Sequence, residues 1–191
     1  MKGVKQLVNE LMLKRAVNGN PEAFEQLVTP LEKTIWRLCF HMMGNLHDAE
    51  EALQTTMIKA WEKIGSFRGE SSFETWLYRI GINSCTDMLR RIDREQKRVA
   101  LQESDVSADS PEHQKADSVT PETQIIRKEE METVQAALDR LSSEQRVSLI
   151  LYAVEDKSYQ EISEETEVSV GTVKSRIARA REKMREYVLG Q

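Results

Sequence analysis

The chain has 191 residues, 39% of them apolar and 31% charged, with a formal net charge of -5. No apolar run approaches the roughly 20 residues that a bilayer span needs, and Met1-Lys2-Gly3-Val4-Lys5 lacks a signal-peptide core, so a cytoplasmic protein is expected. Net acidity excludes indiscriminate nucleic-acid binding, so any contact with DNA must come from local basic patches or need a partner. Cys39 and Cys85 stand far apart in helical patterns, and His41, His47 and His113 share no ligand spacing with them. Neither a disulfide, a metal site nor a cofactor is expected, and the histidines read as structural or surface groups.

Nearly every segment has helical periodicity. Val4, Leu7, Val8 and Leu11 mark a first amphipathic helix closed by Asn18-Gly19, and Asn20-Pro21 supplies an N-cap and a first-turn proline for the next. That second helix carries Phe24, Leu27, Val28, Leu31, Ile35 and Leu38 inward and breaks at Gly44-Asn45. Asp48-Ala49-Glu50-Glu51 has capping-box spacing and predicts a helix through Trp61 to Ile64, stopped by Gly65. The loop Ser66-Phe67-Arg68-Gly69-Glu70 leads to another box at Ser71-Ser72-Phe73-Glu74 and a long helix past Arg91. Four helices are thus expected before residue 93. On the last, Phe73, Leu77 and Ile80 share one side, while Arg79, Asn83, Asp87, Arg90 and Arg94 form a polar, mostly basic stripe. Phe67, Trp76 and Tyr78 lie beside it, where aromatics either stack on unpaired bases or plug the core.

The composition then changes. Between Gln102 and Gln124 six acidic residues face only Lys115, among serines, Pro111 and Pro121, which predicts a flexible acidic linker. Met131, Val134, Leu138 and Leu141 resume the helical spacing, and the box Ser142-Ser143-Glu144-Gln145 opens a helix with Val147, Ile150, Leu151 and Val154 inward. Ser158-Tyr159-Gln160-Glu161 is a further box, starting a short helix towards Thr166. A turn at Glu167-Val168 precedes a helix that begins near Ser169. Its apolar face is Val170, Val173, Ile177, Ala180 and Met184, and Lys174, Arg176, Arg179, Arg181, Lys183 and Arg185 crowd the rest. A capped helix, a tight turn and a basic second helix make a helix-turn-helix, whose first turns carry Gly171, Thr172, Lys174 and Ser175 towards the major groove. The expected fold is all-α: two small helical domains, residues 1–93 and 125–191, joined by linker 94–124, the second a four-helix domain with a C-terminal helix-turn-helix.

Three segments together carry a family resemblance. Asp48-Ala49-Glu50-Glu51-Ala52-Leu53-Gln54 followed by Ala60-Trp61, then Ser66 to Ile80, then Val170-Gly171-Thr172-Val173-Lys174-Ser175-Arg176 are similar, in this order, to the signature segments of extracytoplasmic-function sigma factors. The resemblance covers both helical domains and leaves the linker unmatched. It implies a promoter-specificity subunit of bacterial RNA polymerase, sigma-E-like, serving a stress- or signal-responsive regulon. It implies that the Asp48 to Ile64 helix docks on the polymerase's largest subunit through Asp48, Glu51, Gln54 and Thr55, the last departing from a frequent glutamate. Minus-ten reading maps onto Phe67, Arg68, Gly69, Ser71, Trp76, Tyr78, Asn83, Asp87 and Arg90, with Asn83 capturing a flipped base. Minus-thirty-five reading maps onto Gly171, Thr172, Lys174, Ser175, Arg176 and Arg179.

The resemblance further implies no ATP and no catalytic residue from this subunit. Primary sigma factors wedge the duplex with two adjacent tryptophans; Trp76-Leu77 keeps one, which implies weaker melting and stricter promoter matching. The expected partners are core polymerase, promoter DNA and a membrane-linked anti-sigma factor, with a free chain that is monomeric and does not insert into membranes. An autonomous helix-turn-helix regulator is the alternative, but it needs neither the Phe67 loop nor the Asp48 helix. An enzyme would show a convergent site, and the sequence has no nucleophile elbow, phosphate loop or metal triad.

Overall fold

The computed structural model describes residues 2–102 and 133–190. Helices α1 (Lys2–Val17), α2 (Pro21–Met43), α3 (Leu46–Lys63) and α4 (Phe73–Gln102) form the first half, with a short 3-10 turn at Ile64–Ser66. Helix α5 (133–138), α6 (Ser143–Ala153), α7 (Tyr159–Thr166) and α8 (Val170–Leu189) form the second. The protein is all-helical across these residues, and none of the described helices is long and apolar enough to cross a membrane. Most of the stretch expected as an acidic linker, residues 103–124, lies outside the described residues, as do Met131 and His113.

Local chemistry sets each helix start. The Asn20 side chain accepts the Ala23 N–H at 2.8 Å, with Pro21 in the first turn, as the sequence predicts. Two expected starts shift by a few residues. Helix α3 begins at Leu46, because Asn45 rather than Asp48 is the cap: Asn45 Oδ1 accepts the Asp48 N–H at 2.9 Å. An amide that can also donate, here to the Asp48 carboxylate at 2.8 Å, satisfies both ends of the turn. Helix α4 is capped by Ser72, whose Oγ accepts the Thr75 N–H at 3.1 Å, in place of a Ser71–Glu74 box. The boxes at Ser142–Gln145 and Ser158–Glu161 form as expected.

Helix α2 continues through Pro30, which has no N–H for the ladder; the proline and Gln26 are both exposed, so the freed carbonyl meets water. It ends at Gly44 in the left-handed region, φ 79°. A Cβ there would displace the end of the Gln135 side chain of α5, but it is the left-handed backbone that favours glycine. Helix α4 carries on nine residues beyond the expected boundary at 93, since no glycine or proline interrupts 94–102.

In the first half α2 packs on α1, α3 and α4, and α3 also meets α4. Ile35, Leu38, Met42, Leu77 and Ile82 are fully buried between them. Cys39 and Cys85 are buried free thiols, drawn together across the α2–α4 contact with sulfurs 3.7 Å apart. The Cys85 thiol bond holds the Cys39 thiol below its ordinary range, while its own is raised by the same bond and by burial. In the second half α6, α7 and α8 pack around Leu151, Ile162, Val173 and Ile177. Val154, expected inward, is exposed: α6 stops at Ala153, so the face that carries Ile150 and Leu151 does not extend to it. Val134 is likewise largely exposed. The two halves share one continuous core, with α6 against α2 and α4, and α7 against α4.

Candidate nucleic-acid interface

The helix-turn-helix is built from reciprocal caps. Ser158 Oγ accepts the Glu161 N–H at 3.2 Å, and Glu161 Oε2 accepts the Ser158 N–H at 2.8 Å and hydroxyl at 2.7 Å. These bonds to Ser158 hold the Glu161 carboxyl below its ordinary range. Glu167 closes α7 in the left-handed conformation, φ 55°, and Ser163 Oγ donates to the Val168 carbonyl across the turn. Ser169 then caps α8 by accepting the Thr172 N–H at 3.2 Å.

Burial of Val173, Ile177 and Ala180 fixes which side of α8 faces water. Gly171, Lys174, Ser175 and Arg179 are exposed there, with Thr172 and Arg176 half-buried. The Thr172 hydroxyl pairs with Ser169 Oγ at 2.9 Å and Ser175 Oγ donates to the Thr172 carbonyl, also at 2.9 Å. Neither Arg176 nor Arg179 has an ion pair among the described residues. Beneath the basic helix Tyr152 and Tyr159 stack at 5.1 Å, with Arg181 over the Tyr152 ring at 4.8 Å and Lys174 near the Tyr159 ring at 5.7 Å. Two guanidinium groups and a lysine on a capped helix suit phosphates and base edges.

The loop before α4 places its residues differently. Gly69 takes φ 75° and Arg68 is exposed, while Ser71 is half-buried. Phe67 packs edge-on to Trp76 at 5.3 Å and to Phe73 at 6.2 Å, a cluster leaning on the core with part of each ring in water. Asn83, Asp87 and Arg90 are exposed along α4, as the stripe requires. Asp87 bonds Lys59 at 3.2 Å, and Arg90 reaches Glu144 of the second half at 2.8 Å. Tyr78 departs from the group: it is buried, and its hydroxyl donates to Glu155 at 3.3 Å. Burial, then the Glu155 and Glu165 carboxylates, raise its pKa far above the ordinary tyrosine value.

On α3, Gln54 is exposed and Asp48, Glu51 and Thr55 are half-buried. Asp48, Glu51 and Gln54 recur at three-residue steps and share a side. Arg91 of α4 pairs with Glu51 at 2.7 Å. His47, Asp48 and Glu51 bring one ligand atom each within 4.8 Å, a spacing that could hold a cation, but Asn45 and Arg91 already occupy the two carboxylates.

Residues without a functional role legible in the sequence, joined by Tyr78, form the seam between the halves. His41 Nδ1 lies 2.7 Å from Glu155 Oε1, Arg146 donates to the Met43 carbonyl at 3.1 Å, and Lys157 sits 4.7 Å from the Tyr78 ring centre. No spacing rule links positions more than 100 apart; a histidine and an arginine within otherwise apolar helical faces were the available signals.

This arrangement of helices, with a helix-turn-helix at one end and a stripe-bearing helix at the other, matches known proteins across most of its length. Residues 27–95 match the family described as Sigma-70 region 2, and residues 131–184 match Sigma-70, region 4. The ECF RNA polymerase sigma factor SigW of Bacillus subtilis is 33% identical over 183 residues, covering 94% of this chain and 98% of that protein. The RNA polymerase sigma-H factor of Pseudomonas aeruginosa is 34% identical over 179 residues, covering 91% and 90%. Among solved structures, CnrH in complex with the cytosolic domain of CnrY shares the fold at TM-score 0.59 and 22% identity, over 96% of this chain and 99% of that one. The sigma factor RpoE of Bartonella quintana, in complex with the anti-sigma factor NepR, aligns at TM-score 0.57 and 25% identity, over 86% and 96%. The chain belongs to the extracytoplasmic-function family of RNA polymerase sigma factors. It directs transcription initiation and is not an enzyme.

Proposed function

We propose that this sigma factor contacts its promoter and polymerase through three separate surfaces. Residues 1–93 and the end of α4 form the region 2 domain, 125–191 the region 4 domain, and the segment after Gln102 a flexible acidic linker that runs through the polymerase's positively lined channel. Asp48, Glu51, Gln54 and Thr55 on α3 dock on the largest polymerase subunit. Phe67, Arg68, Gly69, Ser71, Trp76, Tyr78, Asn83, Asp87 and Arg90 read and hold the melted minus-ten strand. Gly171, Thr172, Lys174, Ser175, Arg176 and Arg179 read the minus-thirty-five duplex. The observation that carries this reading is the doubly capped helix-turn-helix, which presents Arg176 and Arg179, without ion pairs among the described residues, on a helix anchored by Val173 and Ile177.

Major-groove contacts by α8 can discriminate duplex sequence at roughly 1–3 kcal/mol per bidentate pair, which selects promoters without opening them. Opening falls to the Phe67–Trp76 region, where one tryptophan stands in place of the paired wedge of primary sigma factors and strict promoter matching follows. The protein works in the cytoplasm on a stress- or signal-responsive regulon, monomeric when free, and a membrane-linked anti-sigma factor restrains it. The complex of the Bartonella quintana sigma factor RpoE with the anti-sigma factor NepR supports an anti-sigma partner. Footprinting with and without core enzyme tests the assignment. Specific protection and run-off transcription should appear only with core polymerase present. Tight protection by the isolated chain at physiological salt, with no effect on transcription, would instead establish an autonomous helix-turn-helix regulator.

A further inference from the structure

The core of the first half holds both cysteines of the chain, and the promoter reading uses neither. They are free thiols, fully shielded from solvent, that meet across the α2–α4 contact with sulfurs 3.7 Å apart. Gly81, one turn before Cys85, lets the two helices approach closely: a Cβ at that position would lie 3.2 Å from Leu38 Cδ2, next to Cys39 in the chain. Bonding distance for a disulfide is about 2.05 Å, so the sulfurs need to close by only about 1.6 Å. Side-chain χ1 rotations and a small approach of α4 towards α2 share that distance.

The two thiols are not equivalent. Cys85 donates its S–H to the Cys39 sulfur, and that bond, against the opposing effect of burial, holds the Cys39 thiol below its ordinary range. The same bond and burial raise the Cys85 thiol. Cys39 is therefore the more readily ionised sulfur and the nucleophile of the pair. Lys59 of α3 lies near enough for its charge to favour the Cys85 thiolate, and its ammonium bonds the exposed Asp87 carboxylate at 3.2 Å. Such a surface pair is weak, so the α3–α4 edge beside Cys85 opens locally at small cost and admits a solute as small as hydrogen peroxide. Oxidation through brief openings is slower than at an exposed thiol, which suits a response to sustained peroxide.

We propose that Cys39 and Cys85 form a peroxide-responsive dithiol whose disulfide ties α4 to α2. The Cys39 thiolate attacks one oxygen of hydrogen peroxide, the O–O bond breaks, and the departing hydroxide takes up the proton that Cys39 released, leaving water and a sulfenic acid. Cys85 then attacks the sulfenic sulfur, the S–O bond breaks, and the Cys85 proton leaves with the hydroxide as a second water. Two thiols are oxidised and one peroxide is reduced. The product is uncharged, so the apolar core that opposes a thiolate accepts a disulfide. Because the second thiol is already in contact, it captures the sulfenic acid ahead of further oxidation. Cytoplasmic thiols reopen the bond by exchange, which makes the staple transient. Asn83 and Asp87 stand two residues to either side of Cys85, on the opposite, exposed face of α4, and a rigid helix carries any shift of Cys85 to them. Oxidation thereby displaces proposed minus-ten readers and impairs promoter opening. That consequence rests on the promoter reading above; the bond itself does not.

The test treats the full chain with hydrogen peroxide, removes the peroxide by desalting, and only then adds core enzyme and promoter DNA. The oxidised chain should lose the mass of two hydrogens, run faster on a non-reducing gel and yield a peptide joining Cys39 to Cys85, all reversed by dithiothreitol. Its melting temperature should rise by about 5 °C or more, because the cross-link restricts the unfolded chain. Permanganate reactivity of promoter thymines should fall roughly fivefold, since a displaced contact residue no longer fits its target, and should return with dithiothreitol. Cys39→Ala and Cys85→Ala should each abolish the cross-link and the response to peroxide; if either folds poorly, the wild-type chain before and after dithiothreitol is its own control. Free thiols after a dose that fully oxidises an exposed cysteine peptide, or sulfinic acid in place of the bond, would overturn the proposal. So would a cross-linked chain that opens promoters as well as the reduced one. Cross-linking in a chain whose reduced form opens no promoter with core enzyme would uphold the dithiol and count against the promoter reading.

Discussion

Replacement of Arg179 by alanine separates recognition from stability more cleanly than any other change in the helix-turn-helix. The side chain is exposed and has no ion pair among the described residues, so its removal leaves no buried charge behind. The cost to folding should stay within about 0.5 kcal/mol, the usual range for surface positions. If the guanidinium binds a base edge bidentately, affinity for the upstream element falls by about 1–3 kcal/mol, roughly 5- to 150-fold, and the preference relaxes at one base pair alone. If it binds phosphate, all sequences weaken alike, and the slope of log K against log salt flattens by about 0.9. Lys174→Ala gives the internal comparison. Its ammonium lies 5.7 Å from the Tyr159 ring centre, so that variant also loses a cation–π contact of about 0.5–1 kcal/mol in stability. Holoenzyme binding to a set of single-base promoter variants at several salt concentrations distinguishes the cases. Unchanged affinity, specificity and salt slope in Arg179→Ala, with the fold intact, would refute the placement of α8 in the groove.

Four further outcomes are expected. Phe67→Ala and Asn83→Ala should spare upstream duplex binding but reduce permanganate reactivity of promoter thymines, and normal opening with unchanged minus-ten preference would remove the proposed pocket. Glu51→Arg and Gln54→Ala should compete less well for core polymerase while thermal stability changes little, because Glu51 spends only a half-exposed pair with Arg91 and Gln54 is exposed. Ser158→Ala should cost about 1 kcal/mol in denaturant unfolding through loss of the α7 cap, and an unchanged midpoint would mean that the box is energetically idle. Burial works against Glu144 ionisation, but its bonds to Arg90 and the backbone prevail and hold its carboxyl below 4.5. A folded pKa below the unfolded one gives stability that is present above 4.5 and lost as pH falls through the lowered value. For a half-exposed pair this is worth at most about 1 kcal/mol, so melts between about pH 6 and pH 3 should steepen slightly in the wild type relative to Arg90→Ala.

The sequence alone determined the helices and the grammar of their ends. Apolar residues at three- and four-residue steps specify which face of α2, α4 and α8 turns inward. Asn20, Ser142, Ser158 and Ser169 specify where helices begin, because the chemistry of an N-cap is confined to four residues. For the same reason the basic face of α8 and the exposed Asn83, Asp87 and Arg90 could be read before any coordinates. At the starts of α3 and α4 more than one polar residue suited the cap, Asn45 three positions before Asp48 and Ser72 next to Ser71, and bond geometry decided for Asn45 and Ser72. What only the tertiary structure decided are contacts between distant segments. It decided that Tyr78 turns away from the rest of the stripe, that Cys39 meets Cys85, and that Glu155 is gripped by His41 and Tyr78. Periodicity assigns a residue to a face of its own helix, but it carries no information on which other helix packs there. The pairing of α4 with α6 and α7 is set by the shapes and hydrogen-bonding groups of surfaces remote in the chain, and it places the second half over the Tyr78 side of α4.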